Sequence, residues 1–207
     1  MNPHAPTVYI VDDDDAVREA LGALLSSVGL DYQPFASAEA FLAVANPHMR
    51  GCLLLDVRMP GISGLELQRR LRDQGLALQI IIITGHGDVP MAVRALKAGA
   101  SDFIEKPFNE QDLLDRIQTC LKEDHALWHT RREQDEAAER FGTLTPREKE
   151  VMELIASGNH TKKIAVQLHI QDRTVDVHRF NILRKVGVRT LAELLHLWSV
   201  AQKTIQH

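Results

Sequence analysis

Four acidic residues in a row, Asp12-Asp13-Asp14-Asp15, end the apolar run Val8-Tyr9-Ile10-Val11. Asp56 stands in the same relation to Cys52-Leu53-Leu54-Leu55, Thr84 to Ile80–Ile83, and Lys106 to Phe103-Ile104-Glu105. A solvated acidic loop accounts for 12–15 as well as a site does. Four separate run ends supplying acids, a hydroxyl and one lysine are harder to obtain by accident. If Asp12, Asp13 and Asp56 converge, like charges about 4 Å apart repel by about 4 kcal/mol at an effective dielectric near 20. Such a cluster needs a cation, and all-oxygen ligands favour Mg²⁺, which takes one or two carboxylates and keeps waters. A cation with open positions holds a phosphoryl group and offsets its charge. One aspartate then becomes a nucleophile able to form an acyl phosphate. Lys106 would bring a point charge to the phosphoryl oxygens and Thr84 a hydroxyl donor. These are the parts of a phosphoryl acceptor.

The elements that must position those residues follow from the apolar pattern. Runs that are continuous rather than alternating imply strands buried on both faces, hence a parallel sheet built from βαβ units. Such sheets bind ligands at the carboxyl ends of their strands. Between the runs lie helical stretches: Val17, Leu21, Leu24, Leu25 and Val28 at three-to-four spacing closed by Gly29, then Ala38–Ala45, Gly64–Leu71 and Met91–Ala98. Tyr32-Gln33-Pro34-Phe35 is a further short strand. From Glu110 to Arg140 there is no Pro or Gly, and a stripe of Leu113, Leu114, Ile117 and Leu121 fades after Trp128 into charged residues. That stretch reads equally as a helix leaving the first domain and as a flexible connector.

From residue 143 the pattern is purely helical. Thr145-Pro146-Arg147-Glu148 combines a hydroxyl cap, Pro at the first helical position and Glu three residues after the cap. Thr161 is expected to cap a second helix, Asp172 to start a third running to Val186, and Thr190 to cap a fourth. Four helices in about 60 residues, two joined by a short turn, suit a helix-turn-helix module. On the third helix Val175, Ile182, Leu183 and Val186 share the core side. Arg173, Asp176, Val177, Phe180, Asn181 and Arg184 face away as candidates for the major groove. Lys162, Lys163, His178, Arg179 and Lys185 flank them as candidates for phosphates, with Thr174 beside them. Val177 and Phe180 suit thymine methyls, although Phe180 packing on its own domain is equally open. Asp176 would accept from a cytosine amino group, or restrain Arg173 or Arg179.

Charge and composition agree with this division. Residues 1–124 carry 11 Lys/Arg against 18 Asp/Glu, whereas residues 141–207 carry 10 against 6, a net of +4 that suits a polyanion. The 207 residues are 44% hydrophobic and 25% charged, which excludes a disordered chain. No apolar run approaches the ~20 residues that span a bilayer. The N-terminal stretch has no basic segment followed by an apolar one, so no signal peptide is expected. Cys52 and Cys120 are too few for a disulfide framework or a zinc site and read as core fillers. The expectation is a reduced, cytoplasmic protein without membrane contact.

The motifs Val-Asp-Asp (11–13), Leu-Asp56-Val-Arg-Met-Pro-Gly, Ile-Thr84-Gly-His-Gly-Asp and Lys106-Pro-Phe resemble those of a receiver domain. Leu-Thr-Pro-Arg-Glu (144–148), Ile-Ala-Val-Gln-Leu (164–168), Arg-Thr-Val-Asp-Val-His-Arg (173–179) and Gly-Val-Arg-Thr-Leu-Ala-Glu-Leu (187–194) resemble a LuxR-type DNA-binding domain. In this order the chain resembles a two-domain response regulator of the FixJ/NarL type, nearest the FixJ group through Thr84–Phe108. The resemblance implies a flavodoxin-like receiver over 1–122, an α/β, doubly wound, five-stranded parallel sheet. It implies a helical linker over 123–142 and an all-α four-helix helix-turn-helix domain over 143–207.

By that resemblance Asp56 is the phosphoacceptor, taking its group from a sensor histidine kinase. Mg²⁺ (or Mn²⁺) would be held by Asp13 with Asp12, Asp56 and the Arg58 backbone carbonyl. Thr84 and Phe103 would form a switch pair, Lys106 would contact the phosphoryl group, and the Lys106–Pro107 bond would be cis. Phosphorylation would drive a homodimer onto double-stranded promoter DNA, with RNA polymerase as a further partner and activation as the favoured outcome. The family also leads with Asn where this chain has Thr161, which leaves capping in place. A phosphatase that uses a strand-end Asp nucleophile requires a second Asp two residues on, and here that position is Arg58. A phosphorelay shuttle without a DNA target is opposed by the basic helical module.

Overall fold

The computed structural model describes residues 6–85 and 87–202. The N-terminal residues 1–5, read above for a leader, lie outside that range. The described chain divides into two compact units, Met1–Trp128 and His129–His207.

In the first unit, strand alternation decides which helix covers which face. In β1 (Thr7–Val11) Val8 and Ile10 join one apolar cluster and Tyr9 and Val11 the other. The same alternation holds in β3 (Gly51–Leu55), where Cys52 and Leu54 oppose Leu53 and Leu55, and in β4 (Gln79–Thr84), where Ile81 and Ile83 oppose Ile80 and Ile82. One face is covered by α1 (Asp15–Ser27) and α5 (Glu110–Gly142) through Leu21, Leu25, Leu113 and Ile117. The other is covered by α2 (Ala38–Leu42), α3 (Gly64–Asp73) and α4 (Val89–Lys97) through Phe41, Leu67, Leu71, Met91 and Ala95. With β2 (Tyr32–Phe35) and β5 (Asp102–Glu105), all pairings are parallel and the order is β2-β1-β3-β4-β5. This is the doubly wound α/β receiver architecture. Pro34 is accommodated because β2 lies at an edge, where a missing amide donor leaves no ladder bond unmade. Both cysteines are buried in the core.

The second unit is helical: the end of α5, α6 (Pro146–Ala156), α7 (Thr161–Leu168), α8 (Asp172–Val186) and α9 (Leu191–Gln202). The expected capping box is present, with Thr145 Oγ1 accepting from the Glu148 amide and Glu148 accepting from the Thr145 amide at 2.8 Å. Thr190 Oγ1 accepts from the Glu193 amide at 3.2 Å as the fourth cap. Thr161 is not a cap. It is the first helical residue, His160 occupies the cap position without a side-chain bond, and the Thr161 hydroxyl accepts from Arg179 at 3.0 Å. The turn between α7 and α8 is closed by His169, whose φ of 54° places it in the left-handed region.

Residues 123–142 are helical throughout, as part of α5. They do not pack as a separate segment. Asp124 is buried in the first unit, and Ala137 and Phe141 are buried in the core of the second.

Candidate functional site

Asp12 follows β1 and Asp56 follows β3, the two strands between which the sheet order reverses, and open α/β sheets bind ligands at that switch point. Their backbones are knitted to the sheet: the Asp12 amide donates to Phe35 O at 3.2 Å and the Asp56 amide to Val11 O at 2.9 Å. Both carboxylates are buried, at 4% and 7% exposure. Lys106 reaches them from the end of β5, its Nζ donating to Asp12 Oδ2 at 2.6 Å and Asp56 Oδ1 at 3.2 Å. The remaining oxygens are engaged by amides, Asp14 N–H to Asp12 Oδ1 at 3.0 Å and Arg58 N–H to Asp56 Oδ2 at 2.6 Å. Lys106 is itself anchored by its amide, which donates to Thr84 O at 2.8 Å, and the Lys106–Pro107 bond is cis.

Gly64, at the start of α3, lets the helix approach the Asp56 loop. A Cβ there would lie 2.1 Å from the Asp56 carbonyl oxygen, a contact that must displace backbone.

Charge in the pocket is set by competition. Burial raises the Asp56 carboxyl above its ordinary value, Lys106 opposes this, and the neighbouring Asp12 adds to it. Burial alone would lower Lys106, but its bond to Asp12 and the charges of both aspartates prevail and its pKa is raised. Both partners move upward because burial outweighs Lys106 at Asp56, whereas at Lys106 the two aspartates together outweigh burial.

The structure brings together Asp12, Asp56 and Lys106, but not a cluster of three acids. Among the described residues no three His, Cys, Asp or Glu side chains group at metal-holding spacing, and Asp13 is exposed. A lysine shared by two carboxylates already balances much of their repulsion, and a third anion would restore it. Thr84 is buried at the end of β4 on the face of Ile80 and Ile82. Phe103 pairs with Ile82 in register and packs, half-buried, on the same face. The hydroxyl and the ring therefore lie on one side of the sheet, one step apart.

On the second unit, α8 turns Val175, Ile182 and Val186 into the core, with Leu183 half-buried beside them. Arg173, Asp176, Val177, Phe180 and Arg184 are exposed, and Thr174, His178, Arg179 and Asn181 are half-buried. Phe180 does not pack on its own domain: it is 65% exposed. Among the described residues Asp176 forms no ion pair with Arg173 or Arg179, and Arg179 is held by Thr161. Lys162 and Lys163 are exposed on α7. Lys185 departs from its expected place at a phosphate. Its ammonium donates to the buried Glu148 carboxylate at 2.7 Å, because that carboxylate would otherwise lie uncompensated in the core. Burial would raise Glu148, but Lys185 and the Thr145 amide and hydroxyl hold it at about 2.

Three contacts escaped the sequence reading. Arg18 donates to Asp12 O at 2.6 Å and pairs with Asp15, tying α1 to the pocket. A cation one turn into the helix after the acidic run was the available signal. Arg147 donates to Leu168 O at 2.6 Å, satisfying the end of α7. Arg50 donates to buried Asp124 at 2.8 Å and stacks 4.3 Å over Trp128, and nothing local in the sequence signals that pair.

A strand-end pair of carboxylates bridged by lysine on a doubly wound sheet, followed by a helix-turn-helix unit, defines a receiver coupled to a DNA-binding module. The comparisons with known proteins agree. Residues 8–118 match the response regulator receiver domain family, and residues 142–198 match the bacterial regulatory proteins of the luxR family. The chain is 45% identical over 197 residues to the response regulator protein TmoT of Ectopseudomonas mendocina, covering 95% of this chain and 90% of that one. It is 43% identical over 195 residues to the transcriptional regulatory protein FixJ of Azorhizobium caulinodans, covering 94% and 92%. The structure of the response regulator StyR superposes with a TM-score of 0.85 at 47% identity, covering 94% of this chain and 98% of that one. Full-length FixJ from B. japonicum gives 0.56 at 38%, covering 96% and 98%. The chain belongs to the two-component response regulators that join a receiver to a LuxR-type DNA-binding domain, and so to the regulators of transcription.

Proposed function

We propose that Asp56 accepts a phosphoryl group from the phosphohistidine of a sensor kinase, and that the modified protein dimerises on promoter DNA and activates transcription with RNA polymerase. The observation that carries this reading is the Lys106 ammonium shared between Asp12 and Asp56 at the β1/β3 switch point. An Asp56 oxygen attacks phosphorus, the O–P bond forms as the P–N bond breaks, and the electron pair stays on the departing imidazole. Lys106 then turns from the carboxylate to the new phosphoryl oxygens, a charge-assisted bond stronger than a neutral one. Thr84 supplies a hydroxyl from the adjacent strand end, and Phe103 moves on the same face as Thr84 does.

Asp12, Asp13, Asp56 and the Arg58 carbonyl, which would hold the ion, are hard oxygen donors beyond the carboxyl ends of β1 and β3, and donors of that kind suit Mg²⁺ or Mn²⁺. When bound, the ion offsets the charge of the transferring group. To carry the active population from about 1% to about 99%, phosphorylation must favour it by about 5.5 kcal/mol.

On the DNA side, Arg173, Thr174, Asp176, Val177, Phe180, Asn181 and Arg184 face the groove, and Lys162, Lys163, His178 and Arg179 face phosphates. Among the described residues no helix is long and apolar enough to cross a membrane, and we place the protein in the cytoplasm. The role is that of a switched regulator: the phosphoryl transfer serves its own modification and not the turnover of a substrate.

Incubation with acetyl phosphate and Mg²⁺ tests the assignment. A gain of one phosphoryl group mapped to Asp56 by mass spectrometry supports it. Turnover of acetyl phosphate without a labelled intermediate, or label on another residue, overturns it.

A further inference from the structure

On the inner side of α3 one residue is polar. Gln68 is 1% exposed, in the same helix as the buried Leu67 and Leu71. Its Nε2 donates to Ala95 O on α4 at 2.9 Å. Among the described residues its Oε1, also buried, meets no donor. Folding takes that oxygen out of water without a replacement bond, which native proteins ordinarily avoid. Gln68 also lines a cavity of about 180 Å³ beside the ends of α3 and α4. Leu76, Leu78 and Ile80 line it too, with Leu127, 46% exposed, at its rim. Ile80 is near the amino end of β4, so the cavity lies at the opposite end of the sheet from Asp56.

We infer that this cavity is a binding site for a small neutral molecule that carries one O–H or N–H donor on a compact apolar body, the donor meeting Gln68 Oε1. The other polar side chains of the wall are already engaged. Gln79 Oε1 accepts from the Ser101 hydroxyl at 2.7 Å. Arg72 Nη1 donates to Ala98 O at 3.3 Å, and its side chain is 58% exposed, so its charge stays in solvent at the mouth. A charged ligand would therefore leave its charge among Leu78 and Ile80, uncompensated. A water at Oε1 needs two to four polar partners to be held, which those apolar walls do not supply. An alcohol or amide needs one such partner and buries the rest of its surface against the leucines. Volume sets the size. A cavity of about 150 Å³ admits benzene, so this one takes a single six-membered ring with one or two further atoms. The site shares no residue with the Asp12, Asp56 and Lys106 pocket, and it holds whether or not Asp56 accepts a phosphoryl group.

The test titrates the full chain with cyclohexanol and with cyclohexanone, followed by amide NMR spectra. The two probes have nearly the same shape, but only the alcohol can donate. Cyclohexanol should shift the Gln68 side-chain amide and the backbone amides of Leu78 and Gly99, and the shifts should saturate. Cyclohexanone should bind about tenfold more weakly or worse, because its carbonyl would face Gln68 Oε1 acceptor to acceptor. In Gln68→Met the two probes should bind alike. Leu127→Trp, a change at an exposed position that fills the mouth, should remove binding of both while the fold is kept. Equal affinity for the two probes in the unsubstituted chain, a preference retained in Gln68→Met, or shifts that survive Leu127→Trp overturns the inference. No saturable shift with either probe also overturns it and assigns Oε1 to bound water. Phosphodonor is absent throughout, so none of these outcomes bears on the role of Asp56.

Discussion

At Asp56 burial and charge pull in opposite directions, and burial prevails, so the folded protein holds a proton there more readily than the unfolded chain does. Stability on this account falls as pH rises from the ordinary carboxyl value of 3.8 through the raised one, and stays lower above it. Asp56→Asn should therefore melt higher than wild type at neutral pH, with the gap closing as pH is lowered through that range, as followed by calorimetry. It should also take no label from acetyl phosphate. Glu148 behaves oppositely. Its carboxyl is held at about 2, so its contribution is present above the ordinary value of 4.5 and is lost as pH falls from there toward 2. Glu148→Ala strands Lys185 and removes the capping-box acceptor, and should destabilise the helical unit by about 2–3 kcal/mol in urea melts. Asp12, Asp56, Thr84 and Lys106 were legible in the sequence because each ends a run whose burial excludes polar side chains. The Glu148–Lys185 and Arg50–Asp124 pairs join residues 37 and 74 positions apart. No local pattern encodes such a meeting, and Lys185 read instead as one more cation on a basic face.

At the scale of elements, the site depends on α3 lying against the Asp56 loop, which only a glycine at 64 permits. Gly64→Ala should slow labelling of Asp56 by tenfold or more while the sheet remains folded, a split that stopped-flow labelling and circular dichroism measured together would reveal. The parallel sheet itself was readable, since continuous apolar strands alternating with one-faced helices allow few other architectures. The start of α7 was not: Thr161 has the right chemistry for a cap, yet its hydroxyl serves Arg179 and the helix begins one residue earlier than a Thr cap would place it. On α7 and α8 the divided roles of the cations give a quantitative expectation. Lys162→Gln and Lys163→Gln should each reduce the slope of log affinity against log salt by about 0.9, whereas Lys185→Gln should leave it unchanged.

The whole molecule is two units served by one long helix. Phe141, near the end of α5, meets Trp198 edge-on at 4.8 Å, and Ala137 is buried in the same core. A fragment beginning at residue 143 follows the change in sequence pattern but discards both. One beginning at 129 keeps them and should be the more stable by about 3 kcal/mol in denaturant titrations, near the lower end of the loss on deleting a buried Phe side chain. The boundary was illegible because residues 123–142 read as charged and linker-like, and their few apolar residues reveal their partners only in three dimensions.

A phosphoryl group on one aspartate must change what the helical unit does. The most direct measurement is an anisotropy titration of library-selected DNA with wild type and Asp56→Asn, each with and without acetyl phosphate and Mg²⁺. Wild type should gain at least tenfold in affinity on adding the phosphodonor, and Asp56→Asn should gain nothing. Equal affinities for wild type with and without the donor, or the same gain in Asp56→Asn, would contradict it.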